Sequence, residues 1–142
     1  MAEAILRSLG ARHFAAFSAG ATPADAVDAD ALAILEQHHV SSDGLVPKPV
    51  QSFAGQSFDY VITVSDPATE EPPSFAGADV LHWSFADPAR APEGQADPRP
   101  FEHLFAGLAQ RIRLLMVVAE RREREHGSLA TQALVDSPVR SV

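Results

Sequence analysis

Residues 58 to 88 read FDYVITVSDPATEEPPSFAGADVLHWSFADP, and this stretch limits the fold more than any other part of the chain. It holds two apolar, β-branched runs, residues 60–64 and 80–83, each leading into a polar segment that carries an acid: Asp66 after the first, Asp87 after the second. A strand that is apolar along its whole length, without alternation, suits a parallel sheet covered on both faces. In open sheets of that kind ligands bind just beyond the carboxyl ends of the strands, which is where Asp66 and Asp87 fall.

The rest of the chain supplies the helices such a sheet needs. Ala2, Ile5, Leu6 and Leu9 form an apolar helical stripe that Gly10 ends. No residue ahead of the stripe caps it, so its first amides either face water or lack a preceding segment. Residues 13–17 are a strand candidate closed by a Ser18-Ala19-Gly20 turn, and a helix is predicted over residues 26–38 behind a start at residues 21–25. Residues 40–57 are rich in Ser, Gly and Pro and read as a loop with one helical turn near residues 50–53. A short helix over residues 67–71 ends at Pro72-Pro73, and residues 88–100 are a polar loop. Phe101, Leu104, Phe105, Leu108, Ile112, Leu115, Met116 and Ala119 then recur at the spacing of a long amphipathic helix. Residues 127–142 are weakly patterned and are expected to be a mobile tail behind a single domain at 1–126. The result is an α/β layer structure with a parallel sheet, of which only three strands can be found.

Composition narrows the chemistry. With a net charge of −8 the chain lacks the basic surface that nucleic acid or anionic lipid requires, so neither is an expected partner. Five of its eleven basic residues, Arg111, Arg113, Arg121, Arg122 and Arg124, crowd the last helix, where they alternate with Glu120, Glu123 and Glu125 as a solvated face. No apolar run approaches the roughly 20 residues of a membrane span, and no signal sequence opens the chain, so a cytoplasmic protein is expected. There is no cysteine, hence no disulfide, thiolate nucleophile or thiolate-bound metal within these residues. Glu36, His38 and His39 lie close together, but adjacent histidines point in different directions on a helix and lack the four-residue repeat of a helical zinc site. Neither metal nor cofactor is expected.

Asp87 is the best acid–base candidate. It follows the apolar His82-Trp83-Ser84-Phe85, which would desolvate its carboxyl as a general acid requires. The plainer alternative is that Asp before Pro marks a turn. Asp66, in Ser65-Asp66-Pro67, fits better as the cap of the short helix that Pro67 begins.

The motifs MAEAILR, FSAG, FDYVITVSDPA and LHWSFADPA, in that order, resemble the low-molecular-weight protein tyrosine phosphatase superfamily, and within it the thiol-dependent arsenate reductases. The resemblance covers roughly residues 1 to 120 and implies a flavodoxin-like, three-layer parallel sheet with a small oxyanion or phosphoester as substrate. It implies that Asp87 is the general acid that protonates the leaving group and that Ser18 supports the anion-binding loop by hydrogen bonding. The family's nucleophile is a cysteine in a Cys-x5-Arg-Ser loop ahead of the first helix. Met1 stands where the family continues past that loop, so loop and preceding strand are absent here, and Ser65 and Pro72 occupy what resemble the positions of the relay cysteines.

In the family the first strand lies inside the sheet, between those matching residues 13–17 and 58–64. The expectation is therefore a flavodoxin-like fold with its first, inner strand missing and two unpaired ladders exposed. Against a net stability of about 5 to 15 kcal/mol, such a chain would be unstable alone. Two readings follow: a phosphatase- or arsenate-reductase-like protein inactive for want of its nucleophile, or a non-catalytic scaffold or regulatory binding protein that accepts a strand from a partner or a second copy.

Overall fold

The computed structural model describes residues 1–64, 74–88, 99–126 and 131–136. In chain order these form helix α1 (Ala2–Gly10), strand β1 (Phe14–Ala19), helix α2 (Ala29–Gln37), a 3-10 turn (Val50–Phe53), strands β2 (Tyr60–Thr63) and β3 (Asp79–His82), helix α3 (Pro100–His126) and strand β4 (Thr131–Asp136). The sheet is parallel throughout, in the order β1-β4-β2-β3.

Most elements fall where the local pattern puts them. α1 stops at Gly10, where a side chain would collide with Phe14 at 2.9 Å. Ser18 and Ala19 extend β1 rather than forming a turn, and Gly20 then bridges to Pro49. α2 starts later than the pattern suggests because Asp28, not residues 21–25, is its cap: the Asp28 carboxylate accepts from the amides of Asp30 and Ala31. The helix expected over residues 67–71, together with Ser65, Asp66 and Pro72, lies outside the described residues.

The inner position of the sheet is not empty. β4, which comes from the segment read as a mobile tail, lies between β1 and β2 and pairs six residues of the former and four of the latter. The ladders on which the expected instability rested are thus paired. Among the described residues β1 has no other strand neighbour, so β4 alone joins it to β2 and β3. Among the described residues the sheet has four strands, and of its two inner strands β4, between β1 and β2, is the last in sequence.

Alternation along the strands separates two cores. On one face Phe14 and Ala16 of β1, Tyr60 and Ile62 of β2, and Val135 of β4 pack with Ile5 and Leu6 of α1, Leu35 of α2, and Leu108 and Ile112 of α3. On the other face Ala19 and Val61 meet Phe53 and Phe58, with Phe17, Phe53, Phe58 and Phe75 in edge-to-face contact. Among the described residues this second face is closed by aromatic side chains and the 3-10 turn instead of a helix layer, as the Gly-, Ser- and Pro-rich residues 40–57 allow. β3 departs from its sequence reading too. Its apolar run suggests burial on both faces, yet it is the edge strand, and Val80 is 43% exposed.

α3 is held at several points along its length. His38, at the end of α2, stacks on Phe105 at 4.0 Å and shares a 2.8 Å hydrogen bond with Glu102. Arg122 pairs with Asp79 and lies over the Tyr60 ring. Arg121–Glu125 and Arg124–Glu120 are the surface pairs that the alternating charges lead one to expect.

Candidate functional site

The register brings the carboxyl ends of all four strands level. Ala19 of β1 pairs with Asp136 of β4, Asp136 with Thr63 of β2, and Thr63 with His82 of β3, so these four residues form one row across the sheet. Within that row Thr63 is buried, and its hydroxyl is 2.7 Å from Nδ1 of His82.

One strand position before Ala19, on the opposite face, stands Ser18. Its hydroxyl donates to Glu3 Oε2 in the first turn of α1, which ties the N-terminus of that helix to the carboxyl end of the sheet. Glu3 is a carboxylate at 1% exposure, a costly placement unless charge compensates it. Arg7, one turn along α1, meets Oε1, and Lys48 Nζ stands 4.0 Å from Oε2. The α-amine of Met1 is buried here as well, and burial lowers its pKa from 8.0 to about 6 against the opposing pull of Glu3. Met1 offers no side-chain cap to α1. Two side-chain cations and an uncapped helix N-terminus therefore surround a single carboxylate at this end of the sheet, an arrangement that favours an added anion.

Asp87 comes five residues after the end of β3, half-buried, on the segment that leaves the carboxyl end of the sheet. Phe85 fixes that segment. Its ring lies against Gly107 of α3, where even a methyl group would meet it at 2.7 Å, and the Arg111 guanidinium stacks on it at 4.8 Å from the ring centre. Trp83, 8% exposed, anchors the same segment in the core.

The two residues singled out in the sequence thus both lie at the carboxyl end of the sheet, Ser18 within β1 and Asp87 beyond β3. Sequence reasoning missed the Glu3-Arg7-Lys48 group. Its one signal was Glu3 four residues before Arg7, an ordinary helix pair; the buried contact with Ser18 joins residues fifteen apart. Among the described residues no group of three or more His, Asp or Glu could hold a metal ion, and no helix is long and apolar enough to cross a membrane.

A model of the family described as low molecular weight phosphotyrosine protein phosphatase matches residues 1–126. The chain belongs to that family. Membership supports a phosphatase-type function and an α/β, flavodoxin-like fold, in keeping with the parallel sheet described above. The match ends at the last residue of α3, so β4 lies outside it. No match is found among curated proteins.

Proposed function

We propose that the carboxyl end of this sheet binds a small oxyanion or phosphoester, with Asp87 in the position of the family's general acid and Ser18 as support for the anion-binding turn, and that the 142-residue chain, which has no thiolate, does not turn the bound species over. The observation that carries this reading is the gathering of Arg7, Lys48 and the uncapped first turn of α1 around Glu3 and Ser18. The motif resemblance inclines the substrate toward arsenate, with a cytoplasmic setting. There is no cysteine among the 142 residues to act as nucleophile or relay. In this reading β4 takes the place of the strand that leads, in the family, into the Cys-x5-Arg-Ser loop.

Phosphate and arsenate titrations followed by amide NMR test the binding half of the proposal. Saturable shifts of the Ala2, Glu3 and Ala4 amides should weaken several-fold in Lys48→Ala; shifts that chloride reproduces equally would refute it. Turnover of p-nitrophenyl phosphate, or thiol-dependent reduction of arsenate, above the buffer rate would refute the other half.

One observation favours the second reading, a non-catalytic scaffold that takes a strand from a partner or a second copy. Among the described residues β1 is joined to the sheet only through β4, so the inner position is one that an exchanged strand can fill. A dimer that persists on dilution and is lost on deletion of residues 127–142 would support it.

A further inference from the structure

A groove of ≈ 440 Å³ runs between the outer edge of β3 and helix α3. Its apolar lining is Leu81, Trp83, Leu114, Leu115 and Val118, with Leu114 62% and Val118 50% exposed. Among the described residues no strand pairs with the outer edge of β3. Asp79 and Trp83 donate their amides inward, to the carbonyls of Asp59 and Thr63 at 2.8 and 2.7 Å. In a parallel ladder the intervening odd-numbered residue does the same, so the peptide groups of Val80 and His82 face outward. They meet no backbone partner among the described residues.

The two ends of the groove differ in charge. At the start of β3 Arg122 is paired with Asp79, a hydrogen bond that raises the guanidinium pKa. At the carboxyl end Arg111 rests on the Phe85 ring, and among the described residues no acid accompanies it. Arg122 follows Arg111 by eleven positions on α3, about 16 Å along the helix, the length of roughly five residues of extended chain. A ligand suited to this groove offers a backbone edge, apolar side chains on the face toward α3, and negative charge at the Arg111 end.

We propose that this groove docks an extended segment of another protein, apolar over about four residues and acidic at its carboxyl end, which adds to β3 as a fifth, parallel strand. Main-chain hydrogen bonds to Val80 and His82 supply affinity, Leu81, Trp83, Leu114 and Val118 take the side chains that point toward α3, and Arg111 selects the acid. The parallel direction follows from the rest of the sheet and places the acidic end beside Arg111. The groove lies on the side of the sheet away from β1 and Ser18, so docking does not depend on the anion-binding reading.

The probe is acetyl-Thr-Val-Thr-Val-Asp-Asp-amide, titrated at low salt into the 142-residue chain. Trp83, the single tryptophan, reports by its emission, and the Val80 and His82 amides report by NMR. Binding should be saturable and about tenfold tighter than for the same peptide ending in Lys-Lys, as one favourable charge contact provides. Arg111→Glu should reverse that preference. Leu114→Asn, on an exposed position and without a change of charge, should leave the circular dichroism spectrum unchanged and weaken both peptides alike. Equal affinity for the two peptides, no saturable binding, or shifts that leave Val80 and His82 unmoved would overturn the proposal. So would sedimentation showing that the face is covered by a second copy that the peptide fails to displace.

Discussion

At Gly107 two ordinary rules of helix stability point in opposite directions. Replacing glycine by alanine inside an exposed helix stabilises by about 1 kcal/mol. Here the added methyl would stand 2.7 Å from the Phe85 ring, closer than carbon atoms approach, so the ring must move. Gly107→Ala is therefore expected to destabilise the chain by about 1 kcal/mol or more, read as a lower urea midpoint, and to shift the amide resonances of residues 84–87. A midpoint that rises would show that Phe85 does not hold that segment. Glu3 permits a second test on the same scale. Glu3→Gln keeps the shape but removes the charge that Arg7 and Lys48 answer. The loss is expected to be smaller than that of about 1 to 3 kcal/mol for Arg7→Gln, which leaves a buried carboxylate short of its partner, whereas the Arg7 side chain, 43% exposed, returns to water when Glu3 loses its charge. Equal losses would mean that the buried carboxylate is not the centre of the group.

At the scale of elements, β4 decides whether there is one sheet or two pieces. Without it β1 has no strand neighbour among the described residues, and β2 and β3 remain as a two-stranded pair, too small a sheet for independent stability. A chain ending at His126 should therefore lose its cooperative urea transition and bind hydrophobic dyes, although it retains the whole of the segment that matches the family. A transition of unchanged midpoint and slope would refute the role given to β4. The same strand shows what the sequence did not disclose. β2 was legible because Tyr60, Val61, Ile62 and Thr63 are all buried and all good strand formers. β3 was legible in place but not in burial, because an apolar run looks alike at an edge and at a centre. Thr131-Gln132-Ala133-Leu134-Val135-Asp136 has neither an unbroken apolar run nor strict alternation, and nothing local says which gap such a segment will enter. Its position is set by the vacancy between β1 and β2, a property of the folded whole. Likewise Ser18 and Asp87 were visible through their motifs, whereas Glu3 and Lys48 are joined to Ser18 only by long-range packing.

For the whole molecule, the buried α-amine makes stability depend on pH in a direction that can be worked out in advance. In the unfolded 142-residue chain Met1 takes up its proton near pH 8.0, and in the folded chain only near pH 6. Between those values the unfolded state binds more protons, so stability rises with pH. This contribution is fully present above pH 8, falls as the pH drops through the interval, and levels off below the folded value. A difference of two units corresponds to about 2 to 3 kcal/mol. Other groups titrate in the same range, the six histidines among them, so the informative comparison is between the chain with a free amine and the same chain acetylated at Met1. Urea unfolding at pH 6 and pH 8.5 should show a steeper pH dependence for the free amine by about that amount, while the acetylated chain keeps only the slope due to the remaining groups. If both forms lose stability equally on acidification, the amine of Met1 lies in water when the chain is folded. In that event the first turn of α1 is not closed over by the core, and the packing of that turn against Glu3, Ser18 and the carboxyl end of β1 fails with it.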